Sequence, residues 1–255
     1  MSRRAPSAAI LTSTIVAVVL LLAGCTAGTP ATPPVAAPLS PATPGGNPSA
    51  SPSVAPPTLT TGCKATQAHT PSGATTRVVG DLDGDGRPDT EWISDTPTLR
   101  FGVTTASGAT FSYPLSTSSP APREGFAARL NDHRVFSLVD DNRSAYVHFI
   151  VNCAWVMPKD RHGIQYTFDM HDFHGNGIGV GCSFGYVVGY QAKGTSKGWT
   201  LKQTQLYLST TGDTASNGPT SMVASHLSSS DPRLAKASTI SCGSVTVKNR
   251  GVALG

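Results

Sequence analysis

Charge is scarce in this chain. Asp, Glu, Lys and Arg make up 13% of its 255 residues, and none of them falls between Ala5 and Cys63. With 19 basic against 15 acidic side chains the formal net charge is +4, too small for the basic footprint that nucleic-acid binding requires. Long apolar runs are missing too. The uninterrupted run Ile15 to Ala23 is far short of the about twenty residues of a membrane-crossing helix. No two cysteines stand in C-x-x-C spacing, which argues against a four-cysteine zinc site. There is no H-E-x-x-H, and no serine, His148 or His226, and aspartate are singled out by the pattern as nucleophile, base and orienter.

What the N-terminus does have is Arg3 and Arg4 followed by that short apolar run, within the roughly 7–15 residues of an export signal. The run closes on Leu22-Ala23-Gly24-Cys25, which resembles the lipobox of bacterial lipoproteins. The resemblance implies cleavage after residue 24, so that residues 1–24 are a signal peptide and the Cys25 thiol carries diacylglycerol. Losing Arg3 and Arg4 takes the basic count from 19 to 17 against 15 acids, a net charge of +2. The implied place is the outer face of the cytoplasmic membrane, in the cell envelope, held by the lipid on Cys25.

After Cys25, residues 26–62 are composed of Pro, Ala, Thr, Ser and Gly with a few Val and Leu and one Asn, and ten of the twenty prolines fall between Pro30 and Pro57. Such a segment buries too little apolar surface to fold, and proline biases it toward extended polyproline II. It reads as a disordered tether. Residues 63–255 are long enough for one domain with a real core. Short β-branched or alternating runs predict strands at 76–79, 90–94, 98–104, 110–115, 135–139, 146–151, 164–170, 184–191, 199–208 and 244–247, with a helical turn at 125–130. The expected class is all-β, a single domain of many short strands, either partial propeller-like or a sandwich or barrel. Apart from Cys25 the chain has Cys63, Cys153, Cys182 and Cys242, an even set that in an exported protein reads as two disulfides. Three pairings are open; the favoured one joins Cys63 to Cys242, tying the domain's ends, and Cys153 to Cys182.

The most informative chemistry is the run Gly80-Asp81-Leu82-Asp83-Gly84-Asp85-Gly86-Arg87-Pro88-Asp89. Carboxylates stand at positions 1, 3, 5 and 9 of a loop in which Gly84 and Gly86 permit tight winding. Position 7, Arg87, offers its carbonyl oxygen. Calcium takes six to eight oxygen ligands, and carboxylates this close repel one another unless a cation joins them. Position 12 is Trp92, where an EF-hand carries its bidentate glutamate. The nine-residue pattern followed by Thr90-Glu91-Trp92-Ile93 instead resembles the calcium loops of FG-GAP and VCBS-type repeats, although Phe101-Gly102 follows the loop where the namesake dipeptide precedes it. The likeness to single-loop FG-GAP-like lipoproteins of actinobacteria extends to the run from Gly175 to Cys182. It implies that the loop joins two strands, that calcium is structural, and that Asp81, Asp83, Asp85 and Asp89 are its side-chain ligands.

Weaker constellations accompany it. Asp172-Phe173-His174-Gly175-Asn176-Gly177 resembles a degraded second copy. Asp169, His171, Asp172 and His174 cluster, but strand alternation would split them between two faces. Asp140-Asp141-Asn142-Arg143 reads as a turn. The glycines from Gly175 to Gly181 lack the helix that a nucleotide-binding loop opens. The expected function is therefore a non-catalytic, calcium-stabilised β domain, displayed from the membrane to bind an envelope protein or glycan. The alternative is an envelope hydrolase acting on cell-wall carbohydrate or peptide.

Overall fold

The computed structural model describes residues 62–115, 119–172, 175 and 177–254. Cys25, its cleavage motif and the Pro-rich stretch to residue 61 lie outside them, as do His174 and Asn176. Among the described residues no helix is long and apolar enough to cross a membrane.

The domain is mostly β, built from antiparallel sheets. The first is a meander of β1 (Thr75–Val78), β2 (Thr90–Ser94), β3 (Arg100–Thr104) and β4 (Thr110–Pro114). The second contains β5 (Glu124–Arg129), β6 (Val135–Asp140), β7 (Ser144–Val151) and β8 (Ala154–Val156), with β9 (Thr167–Asp169) also paired to β7. The third contains β10 (Gly179–Ser183), β11 (Tyr186–Thr195), β12 (Gly198–Leu208) and β13 (Ala215–Leu227). After helix α1 (Pro232–Ala237) come the short pair β14 (Ser241–Cys242) and β15 (Val245–Thr246), helix α2 (Val247–Arg250), and β16 (Val252–Ala253), which pairs with β5. No sheet closes into a barrel or propeller among the described residues.

Side-chain alternation explains the layering. Phe126, Ala128, Phe136, Leu138, Val147 and Phe149 leave one face of the β5–β7 sheet and pack with Phe168, Val180, Val187 and Leu206 of β9–β12. The intervening Ala127, Val135, Val139 and Ile150 leave the other face and pack with Ile93, Phe101, Val103 and Tyr113 of the first sheet. The middle sheet is thus covered on both sides, and every residue of β6 is buried. A strand buried on both faces shows no hydrophobic alternation, so residues 125–130 read as helical, whereas all of them but Leu130 lie in β5. Strands β10 and β13 were also unexpected: glycines interrupt the first, and Gly218-Pro219 the second. In β3, Gly102 pairs with Trp92, and a Cβ there would lie 2.3 Å from the indole. The ring covers the strand where only glycine leaves room.

All four expected cysteines are in disulfides, but the pairing differs from the favoured one. Cys63 is bonded to Cys153, and Cys182 to Cys242. The topology gives the reason. Cys242 lies on β14, which follows the bridge between Ile240 and Val180 of β10, so its neighbour is Cys182. Cys63 instead meets the β7–β8 turn. The sequence separations are 90 and 60 residues, and in the chain-entropy account loops of that size contribute about 4–5 kcal/mol each.

Candidate metal centre

The acidic run connects β1 to β2. The ladder continues one pair beyond the strands, with the Val79 N–H donating to the Asp89 carbonyl at 2.8 Å, and the residues between form a wound loop. Gly84 and Gly86 have φ of 85° and 82°, the left-handed conformation that favours glycine. Asp81 organises the turn: its Oδ1 accepts the Gly84 N–H at 2.6 Å and its Oδ2 the Gly86 N–H at 3.0 Å.

Two of the carboxylates are buried and fasten the loop to its surroundings. Asp83 Oδ2 accepts the Cys63 N–H at 2.8 Å and the Ser107 hydroxyl at 3.2 Å, while its Oδ1 accepts the Asp85 N–H. Asp89 Oδ2 accepts the Leu82 N–H at 2.7 Å, and Oδ1 the Ala106 N–H at 2.9 Å. The loop therefore holds both the start of the domain and the β3–β4 turn. Burial pushes the Asp89 carboxyl above its ordinary range, although these N–H bonds oppose the rise.

Ligand oxygens of Asp81, Asp83 and Asp89 all lie within 4.8 Å of one another. Calcium–oxygen distances of about 2.3–2.6 Å allow two ligands of one ion to be up to about 5 Å apart, so a single ion can reach all three. Carboxylate oxygens have lone pairs beyond those taken by N–H donors, and an all-oxygen set suits a hard divalent cation. The nearby cation is Arg129, whose Nη2 is 3.6 Å from Asp81 Oδ1. One guanidinium against three carboxylates leaves a surplus of negative charge. The cluster can coordinate a divalent cation. Asp85 stands outside this triad, its Oδ1 accepting the Arg87 N–H at 2.7 Å, and Arg87 is exposed.

The weaker constellations form no comparable site among the described residues. Among the described residues Asp169, His171 and Asp172 are not gathered into a metal-holding group. The segment at Asp140 to Arg143 is a turn, with Asp141 Oδ1 accepting the N–H groups of Arg143 and Ser144 and Asn142 at φ 67°. Sequence reading passed over one match: Gly181-Cys182-Ser183-Phe184-Gly185 has the G-x-S-x-G spacing of a nucleophile elbow. That motif needs a strand-to-helix turn. Here it spans the β10–β11 hairpin, Cys182 is in a disulfide, and the Ser183 hydroxyl accepts from Gln203. Of the two histidines considered as bases, His226 is exposed and contacts Ser225. His148 is buried, stacked on Tyr113 at 3.6 Å with its Nδ1 unpartnered. No catalytic constellation stands out among the described residues. No protein-family model, curated protein or solved structure matches the chain.

Proposed function

We propose that this chain is an exported envelope lipoprotein whose β domain is stabilised by one calcium ion and binds an envelope protein or glycan without catalysing a reaction. The observation that carries the reading is the convergence of Asp81, Asp83 and Asp89 within 4.8 Å, in a loop that holds Cys63 and the β3–β4 turn. An ion there neutralises repelling carboxylates and secures three segments at once, which is a structural role. The likeness of the run to FG-GAP and VCBS loops selects calcium among the hard cations. Asp85 and the Arg87 carbonyl complete the proposed ligand set. Display from the membrane rests on the lipobox-like Leu22-Ala23-Gly24-Cys25 and the uncharged Pro-rich stretch after it.

Calorimetric calcium titration of the full chain tests the site, with Asp83→Ala and Asp85→Ala as controls. Calcium should release heat and raise the melting temperature in the parent and lose both effects in Asp83→Ala. No heat and an unchanged melting temperature in the parent would overturn the reading. Mass spectrometry of the native N-terminus should find diacylglycerol on Cys25; an unmodified chain starting elsewhere rejects the anchor.

A further inference from the structure

The third sheet has one face against the core and one turned outward. Val187 of β11 and Leu206 of β12 pack into the core with Phe126 and Phe149. Strand alternation therefore sends Tyr186, Tyr190, Gln205 and Tyr207 to the opposite face. Three of the chain's six tyrosines thus stand on one sheet surface. Helix α1 packs on the Leu201 end of that face, where Leu234 and Ala237 join Leu201 and Tyr190.

The rings lie along the sheet. A Cβ at Gly218 would meet three ring atoms of Tyr207 at 2.8 to 3.0 Å, and one at Gly181 would meet Tyr190 ring and hydroxyl atoms at 2.7 to 3.1 Å. The Tyr207 ring rests one side on glycine and turns the other to solvent; the residue is 45% exposed. Tyr186 stands beside it, with ring centroids 6.1 Å apart. The polar groups among these rings are amides and hydroxyls. Gln205 shares their face, Ser183 pairs with Tyr186, and Ser216 pairs with Tyr207. Charge is absent from these strands around the rings: no Asp, Glu, Lys or Arg occurs at 177–192, 203–212 or 214–230.

The geometry points to this outer face, around Tyr186 and Tyr207, as a binding platform for an uncharged glycan chain. A sugar ring has an apolar C–H face and a rim of hydroxyls. Its C–H groups are drawn to the negative face of an aromatic ring, and its hydroxyls match the donors and acceptors of Gln205, Ser183 and Ser216. A platform without charge gives an ionic ligand nothing in exchange for its hydration. Strands β11 and β12 are paired on both edges, so the platform presents side chains and no free backbone for a peptide strand to join. The inference rests on the proposed glycan partner and narrows it; it does not depend on calcium.

Calorimetric titration of the full chain with cellohexaose, maltohexaose and the hexamer of N-acetylglucosamine tests the platform. At least one should bind, and more tightly than acidic hexagalacturonate or an uncharged Ser-Thr peptide. Tyr207→Ala should weaken that binding about tenfold, the loss typical of an aromatic anchor, and Tyr207→Phe should retain most of it. Gln205→Ala leaves the rings in place and should also weaken it. Met222→Ser, at an exposed position paired with Lys202 on the other face, should change nothing. No binding of any of the three sugars, binding unchanged in both Tyr207→Ala and Gln205→Ala, or tighter binding of hexagalacturonate or the peptide overturns the assignment. Calcium titration of the same sample separates the two readings. Calcium heat without sugar binding overturns the platform alone, whereas sugar binding without calcium heat overturns the metal reading and upholds the platform.

Discussion

Asp83 holds Cys63: the buried carboxylate accepts the Cys63 backbone N–H at 2.8 Å, directly beside the disulfide that joins Cys63 to Cys153 on the far edge of the middle sheet. One side chain of the acidic loop thus fixes the geometry of a cross-link that closes a 90-residue separation. Replacing Asp83 with Ala strips the acceptor from the Cys63 and Asp85 N–H groups together, while the Ser107 hydroxyl keeps the Cys63 carbonyl. The loss expected in urea unfolding without added cation is about 2–4 kcal/mol, in the range for buried charged hydrogen bonds. Asp83→Asn, which keeps one carbonyl acceptor, should lose less. Equal stability of Asp83→Ala and the parent would show that the loop does not hold the domain's start.

Gly62 allows a second test of the same junction. Its φ is +69°, and a Cβ there would lie 2.8 Å from Asp85 Cβ and 3.3 Å from Asp83 Oδ2. Gly62→Ala should therefore cost about 1–3 kcal/mol through strain and displace two acidic side chains. If the loop binds calcium as proposed, the variant should also bind it more weakly, which titration calorimetry would show. Gly73→Ala is the matched control, because it shares a positive φ but has nothing within 4 Å of the added Cβ.

These positions show what was legible from residues alone. The acidic run carried its own geometry, since alternate carboxylates separated by glycines wind into one loop, and Asp81, Asp83 and Asp89 do converge. Asp85 was not separable from them by spacing, because its orientation depends on Arg87 and on the chain passing at Gly62. Residues of the first sheet alternate and were readable as strands. Those of β5 could not be, because Phe126 and Ala127 face different cores and both are buried. The disulfide pairing depended on which strands become neighbours, as Cys182 and Cys242 do through β10 and β14, and no local pattern encodes that.

Glu91 predicts a pH response. It is fully buried in β2, and its Oε2 accepts the Ala127 N–H of β5 at 2.6 Å while Oε1 has no partner. Burial pushes its carboxyl up to about 9. The folded state therefore keeps a proton that the unfolded chain releases above about 4.5. The stability this proton contributes is complete below about pH 4.5 and is lost as pH rises toward 9. Glu91→Gln mimics the protonated group. It should match the parent near pH 4 and exceed it by about 3 kcal/mol at pH 7, at about 1.4 kcal/mol per pH unit. A variant less stable than the parent at both pH values would contradict a protonated Glu91.

His148 on β7 works in the opposite direction. Burial lowers its imidazole to about 3, so the folded state holds it neutral while the unfolded chain takes up a proton below about 6.5. Its contribution is therefore complete above about pH 6.5 and is lost as pH falls toward 3. Between about pH 4.5 and 6.5 the His148 and Glu91 slopes have opposite signs and cancel, so neither shows in the parent's curve. Asp140, which burial raises to about 6, adds a slope of the same sign as that of Glu91, so the curves are best read as differences from the parent. His148→Phe keeps a neutral ring against Tyr113 and removes the titration. Its stability relative to the parent should rise as pH falls from 6.5 to 4, whereas that of Glu91→Gln should rise as pH climbs from 4.5 to 9. Urea midpoints at half-unit pH steps would resolve the two trends. A flat difference curve for His148→Phe would mean that the native imidazole accepts a proton without penalty, and that its stacked place on Tyr113 is open to water.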